Sequence, residues 1–318
     1  MHILILGAGG IGGYVGGRLI EGGVDATFLV REGRLKQIAE KGIRIESMYG
    51  NVAVPAKAIT KSQIDKPADV ILLTCKAYDL ASAIETIAPA VGPQTAILPL
   101  LNGIAHIDTL NAKFGRGRVL AGAAKIPATL TPDGVIKHLS DWRYITFGEQ
   151  DGTLSPRVTA LKAVFDKTSI QATASSNIMQ IMWDKIVHLA TVAGMTCTMR
   201  ASVGEIARTP YGADIMVEFL ERNAEIAKRE GYAPSDSFLA EYRQLFRNKE
   251  STYTASMLRD IEREGQIEGD HVLGFMLEKA IKHNLDSTYH RFVYTHVKAY
   301  EERRAAKLAK AEPVRAAS

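Results

Sequence analysis

At 318 residues the chain is long enough for two domains of ordinary size. Hydrophobic residues make up 46% of it and charged residues 23%, a globular balance that excludes a disordered or collagen-like chain. The formal net charge of +4 is too mild to single out nucleic acid or an acidic membrane as a partner. Its excess gathers near the C-terminus, where Lys298, Arg303, Arg304, Lys307, Lys310 and Arg315 outnumber Glu301, Glu302 and Glu312. That end reads as a solvated helix fraying into a disordered basic tail over 306–318. Cys75 and Cys197 stand far apart, so neither a disulfide framework nor a cysteine zinc site is expected, and a reducing compartment fits. The first residues lack the basic start and cleavage site of a signal peptide, and no apolar run approaches the roughly 18 residues that cross a bilayer. A cytoplasmic location is the expectation.

Taken in chain order, His2–Leu6 reads as a strand, Ile11–Glu21 as a helix and Ala26–Val30 as a second strand. Val70–Cys75 and Ile97–Leu101 are further buried strands, followed at once by Lys76 and Asn102, and Val119–Ala124 is another candidate. Such alternation predicts βα units and a parallel sheet. Val135–Leu139 and Tyr144–Phe147 read as antiparallel strands at its edge. After about Ser175 the texture turns helical, with Ile178–Ala193, Ala213–Arg229, Thr252–Arg263, Val272–His283 and Tyr289–Arg304 as helices. No internal repeat occurs. The predicted fold is an α/β chain: an N-terminal doubly wound sheet over 1–174, an all-α domain over 175–305, and the tail.

Gly7-Ala8-Gly9-Gly10-Ile11-Gly12 follows a predicted strand and opens a predicted helix, the context in which GxGxxG binds a dinucleotide. Gly7 permits the tight turn, Gly9 lets the backbone approach a pyrophosphate, and Gly12 allows close helix–strand packing, while the N–H groups of the helix start, from Gly10 and Ile11, face the phosphates. At the end of the second strand an NAD site usually places an acid against the ribose 2′-hydroxyl. Here Arg31 stands there, with Arg34 nearby, and a guanidinium suits the extra 2′-phosphate of NADP. Glu32 beside it leaves NAD open. Lys76 and Asn102 both follow strands directly and fall at the carboxyl edge of the sheet, where ligands bind in open α/β folds.

Hydride transfer to a carbonyl leaves an alkoxide that needs a proton donor. Lys185 is the leading candidate. Its helical neighbours Ile181, Met182, His188 and Leu189 make a mainly apolar face, and partial desolvation there lowers a lysine's pKa. The same pattern fits a lysine snorkelling from the edge of a buried helix. Glu268 lies at a helix break between Gly265 and Gly269, where a carboxylate can orient a lysine or accept from a product hydroxyl. Ser256 reads as an ordinary helix serine or a substrate contact. No HExxH or similar spacing suggests a metal.

Together these residues resemble the ketopantoate reductase (2-dehydropantoate 2-reductase) family over nearly the whole chain, to about residue 300. The resemblance is carried by Gly7 to Gly12, Thr74-Cys75-Lys76-Ala77, Asn102-Gly103, Trp183-Asp184-Lys185, Ser256-Met257-Leu258-Arg259-Asp260-Ile261, and Glu268 at its spacing. It implies a Rossmann-type domain holding NADPH and a helical domain closing over the nicotinamide. Lys185 would then be the proton donor to the ketone oxygen, Glu268 would steady the substrate hydroxyl and the lysine, and Ser256 would bind the substrate carboxylate. Asn102 would sit between nicotinamide and substrate, with Arg31 and Lys76 serving NADPH. The chain departs from the family at Leu189 and Ala193, where asparagines usually bind a pantoate-like substrate. A more apolar pocket follows, for a branched or aromatic 2-oxo acid, unless Thr191 or His188 supplies the lost polar contacts. A non-catalytic NADP-binding sensor is the reading from another class, opposed by the retention of Lys185 and Glu268. The expected partners are a small 2-oxo acid and, through the amphipathic helices of the second half, a second copy of the chain.

Overall fold

The structure is a computed structural model that describes the backbone of residues 1–316 and the side chains of residues 1–310. The chain divides into two compact units, Met1–Met179 and a second beginning at Gln180, a few residues beyond the composition shift at Ala174. In the first unit β1 (Ile3–Leu6) leads through α1 (Gly10–Glu21), β2 (Ala26–Leu29) and α2 (Glu32–Lys41) to β3 (Ile43–Glu46) and β4 (Val52–Val54). Then follow β5 (Lys57–Ile59), β6 (Val70–Leu73), α3 (Leu80–Ile87), β7 (Ala96–Pro99) and α4 (Ala105–Phe114). The unit ends with β8 (Ala121–Lys125), β9 (Ala128–Leu130), β10 (Val135–His138), β11 (Tyr144–Gly148), α5 (Pro156–Phe165) and β12 (Gln171–Ala174).

The parallel sheet has the order β5-β2-β1-β6-β7. Ile3 pairs with Ala26 on one side and with Val70 on the other, so successive crossovers leave β1 in opposite directions. In a doubly wound sheet this reversal opens a crevice at the carboxyl ends of the strands. All four residues of β2, β6 and β7 are buried, as expected of strands covered on both faces.

The two strands expected to pair with each other do not. β10 runs parallel to β3 and antiparallel to β9, whereas β11 pairs antiparallel with β8 and parallel with β12. The reason is burial. α1 presents glycine there, and a Cβ on Gly13 would fall 2.8 Å from Ile136 Cδ1 and one on Gly17 2.7 Å from Ile45 Cδ1. The apolar faces of β3 and β10 are thus drawn onto α1, which a hairpin between β10 and β11 would leave uncovered.

The second unit contains α6 (Ile178–Met199), α7 (Val203–Ala207), α8 (Gly212–Arg229), α9 (Asp236–Arg247), α10 (Ser256–Glu262), a π-helical turn at Asp270–Gly274, α11 (Phe275–Lys282) and α12 (Thr288–Ala316). From Ala190 to Cys197 every residue of α6 is buried, which makes it the central helix of this unit. α10 starts later than periodicity predicts, because Ser251 and Tyr253 instead offer their carbonyls to the Gly204 and Val203 N–H groups that open α7. α12 continues through Ala316. The rest of the expected tail, Ala317 and Ser318, lies outside the described residues. None of the described helices is long and apolar enough to cross a membrane.

A buried polar chain ties three of these helices together. Asn223 on α8 donates to Thr191 Oγ1 on α6 at 3.0 Å, and His290 Nε2 on α12 donates to Asn223 Oδ1 at 3.1 Å. Burial pushes the His290 pKa from its ordinary 6.5 down to about 4, helped by Arg222 and opposed by Asp286. The unfolded chain then binds this proton more readily than the folded one. Stability is therefore full above pH 6.5 and is lost as pH falls from 6.5 toward about 4. A loss of about 3 kcal/mol is expected across that window. Thermal unfolding against pH checks it: His290→Gln should flatten the slope, and an unchanged slope would assign the acid sensitivity elsewhere.

Candidate active site

The glycine loop between β1 and α1 shows three different uses of a missing side chain. Gly7 adopts φ +94°, a left-handed conformation that other residues adopt only with strain. A Cβ on Gly12 would lie 2.3 Å from Gly7 O and 2.2 Å from Thr74 Oγ1, so only glycine lets α1 sit this close to the strand ends. A Cβ on Gly9 would meet nothing within 4 Å. Packing therefore does not require glycine at position 9; the bare backbone faces open space. Gly9 is the N-cap of α1 with no side-chain cap, and no acid occupies the first turn. The leading N–H groups around Gly10 and Ile11, with the positive end of the helix dipole, are thus left for an anion.

Thr74, one of the residues that carry the family resemblance, holds this loop. Its hydroxyl donates to Leu6 O at 2.7 Å from the end of β6, joining the two strands that flank the reversal. The signal was its place directly at a strand end, but a threonine there is also an ordinary β-former. Lys76 follows at the start of the turn Ala77–Asp79 and is exposed. Asn102 follows β7 just before Gly103, which has φ +84°. Since β1, β6 and β7 are adjacent and parallel, the glycine loop, Lys76 and Asn102 share one carboxyl edge of the sheet. Arg31 caps α2 at the end of β2; its side chain is 86% exposed and pairs with Asp79 at 3.7 Å. Arg34, one turn on, is bent back so that Nε donates to Ala8 O at 3.1 Å.

The other candidates lie in the second unit. Lys185 is half-buried on α6. The helix around it is pinned by Trp183, whose indole stacks on Tyr232 at 5.7 Å and meets Phe275 at 5.8 Å. On the other side Gln180 donates to Asp184 Oδ1 at 2.9 Å, and burial raises the Asp184 pKa. Lys185 thus projects from a segment whose neighbours are committed to the core. Glu268 is buried between α10 and the π-helical turn. Ser256 is the first residue of α10, whose N-terminus is fastened to α6 by Ala255 N–H donating to Thr196 Oγ1 at 3.4 Å. That anchor is about three turns beyond Lys185. Leu189 is half-buried one turn past Lys185, and Ala193 is fully buried.

Neither residue considered as a polar substitute on α6 is available. Thr191 is buried, donates to Val187 O at 2.8 Å and accepts from Asn223. The His188 ring stacks on Tyr242 at 4.4 Å, and its Nε2 bonds Tyr253 Oη at 3.1 Å. Cys197 is buried, and burial pushes its thiol up to about 12, which takes it out of thiolate chemistry. Among the described residues no group of three or more His, Cys, Asp or Glu side chains is placed to hold a metal ion.

A doubly wound sheet with an open glycine loop at its strand-order reversal defines a Rossmann-type dinucleotide-binding protein. Both units match family models: residues 3–152 match ketopantoate reductase PanE/ApbA, and residues 177–301 its C-terminal domain. The chain belongs to the ketopantoate reductase PanE/ApbA family, a family of oxidoreductases that use a nicotinamide cofactor. It is 35% identical to the uncharacterized oxidoreductase YkpB of Bacillus subtilis over 304 residues, covering 95% of this chain and 99% of that one. To the 2-dehydropantoate 2-reductase of Pyrococcus horikoshii it is 29% identical, covering 95% and 98%. The crystal structure of 2-dehydropantoate 2-reductase from Methylococcus capsulatus superimposes with a TM-score of 0.85 at 25% identity, covering 96% of this chain and 98% of that one.

Proposed function

We propose that the chain reduces a 2-oxo acid to the 2-hydroxy acid with NADPH, with ketopantoate as the leading substrate. The observation that carries this is the bare Gly9 backbone at an uncapped helix start, on the same sheet edge as Lys76 and Asn102. These residues fit a dinucleotide: Gly7 to Gly12 for the pyrophosphate, Arg31 and Lys76 for the remaining phosphate charge, and Asn102 beside the nicotinamide. The bound cofactor supplies hydride to the carbonyl carbon. Lys185 gives its proton to the oxygen as negative charge develops there, which keeps an alkoxide from accumulating. Glu268 orients the ammonium and accepts from the product hydroxyl, and Ser256 holds the substrate carboxylate. The proposed setting is cytoplasmic, with a second copy of the chain as the assembly partner.

A second reading keeps the chemistry and changes the substrate. With Leu189 beside Lys185 and the polar groups of Thr191 and His188 engaged elsewhere, α6 offers little to a hydroxyl-bearing side chain. A branched or aromatic 2-oxo acid would lose less there. The test is the rate of NADPH oxidation with ketopantoate and a panel of such acids, with NADH in parallel. Preference for ketopantoate supports the first reading. Preference for a bulkier apolar acid supports the second. Tight NADPH binding without turnover on any of them would favour a sensor.

A further inference from the structure

If the first unit is an NADPH site, as proposed above, Arg34 holds a distinct place in it. Arg34 is clamped on two sides: Nε donates to Ala8 O of the glycine loop at 3.1 Å, and Nη1 donates to Gln37 Oε1. Gln37 is itself held, its Nε2 donating to Pro132 O at 3.3 Å. Nη2 of the same guanidinium is buried and has no acceptor. No carboxylate among the described residues shares in this arrangement, and the nearest charge of consequence is a second cation, Arg44. Burial and that like charge both push the Arg34 pKa down. Arg44 has its own partner in Asp133, whose backbone carbonyl accepts from it at 2.6 Å and whose carboxylate lies 3.5 Å away.

A guanidinium half withdrawn from water, beside a like charge and with an unfilled nitrogen, is costly as a purely structural element. A glutamine or leucine would cover the same loop more cheaply. An anion removes the cost by supplying both the charge and the acceptor. Arg31, by contrast, is 86% exposed and already paired with Asp79, which leaves it free to move and without preorganisation.

We propose that Arg34 is the residue that selects a 2′-phosphorylated adenosine, its clamped guanidinium supplying the fixed charge while Arg31 adds a mobile one. The tether to Ala8 O also links recognition of that phosphate to the loop that receives the pyrophosphate. The preference between NADPH and NADH is then set one helical turn beyond the strand end.

Calorimetric titration of the full chain with adenosine 2′,5′-bisphosphate, ADP and 5′-AMP tests this without turnover. Wild type should bind the bisphosphate more tightly than 5′-AMP. Arg34→Gln should lose about tenfold or more on the bisphosphate and stay within about twofold on ADP and 5′-AMP. Arg34→Lys, which keeps the charge but not the fork, should fall between and guards against a glutamine variant that fails to fold. Equal weakening on all three ligands would make Arg34 a staple of the loop and overturn the proposal. Loss confined to ADP would place the charge on the pyrophosphate and overturn it as well. If wild type shows no preference for the bisphosphate, the NADPH reading beneath the proposal fails first.

Discussion

Replacing Lys185 by alanine should lower turnover on the preferred 2-oxo acid by about 10²–10⁴, the usual worth of a positioned general acid. Cofactor binding and the thermal midpoint should change little, because Lys185 is only half-buried while its neighbours Met182, Trp183, Ile186 and Val187 carry the packing of that turn. Arginine should not rescue activity, since it stays protonated and cannot return a proton near neutral pH. Trp183→Ala is the informative contrast. Losing the stack on Tyr232 frees the segment that aims Lys185 and also opens a core cavity, so activity and stability should fall together. Steady-state kinetics, with thermal unfolding in parallel, separates the two. A Lys185→Ala variant that keeps kcat within a few-fold would remove the proton-donor assignment.

The second large effect comes from adding one methyl group at two places in the glycine loop. Gly12→Ala should destabilise the first unit by about 1–3 kcal/mol, as overpacking does. The new Cβ would meet Gly7 O at 2.3 Å, and Thr74 Oγ1 at 2.2 Å, and Thr74 is itself bonded to Leu6 O. Both neighbours are fixed, so the strain spreads to the joint between β1 and β6. Gly9→Ala should leave the thermal midpoint of the ligand-free protein unchanged, because its Cβ would meet no protein atom within 4 Å. It should still weaken cofactor binding by about 10- to 100-fold, since the methyl stands where the pyrophosphate must approach. Thermal unfolding and direct titration with NADPH, run on both variants, give the comparison. Normal NADPH affinity in Gly9→Ala would show that the cofactor does not use this loop.

The features legible in the sequence were those with a strong local period. β1, α1, β2, β6 and β7 were each announced by apolar runs or glycine spacing, and the parallel direction of the strands followed from alternation with helices. β3, β4, β5, β9 and β12 were not, because three or four residues carry too little pattern to separate a strand from a loop. The pairing of β10 was misread for a different reason: its partner is chosen by the glycine face of α1, a demand set far away in sequence. The helical unit was clear in outline, while the late start of α10 depended on carbonyls taken by α7. In the site, spacing marked Gly7 for a turn and Gly12 for close packing, as the φ of one and the tight surroundings of the other show. It could not show that Arg34 folds back onto Ala8 while Arg31 stays out in solvent, because both read alike, as guanidiniums just past a strand end.

The two apolar positions that follow Lys185 on α6 differ in how freely evolution or design can use them. Leu189 keeps part of its surface open, so exchanging it for a polar or larger residue changes the lining at a modest thermodynamic penalty. Ala193 is sealed at 0% exposure among Val192, Gly194 and Met195 on the all-round buried half of the helix. Any larger group there competes with the core for volume. On the function proposed above, substrate range would therefore have one adjustable dial and one locked one, and libraries aimed at new 2-oxo acids would belong at position 189, with position 193 varied only alongside the residues packed against it.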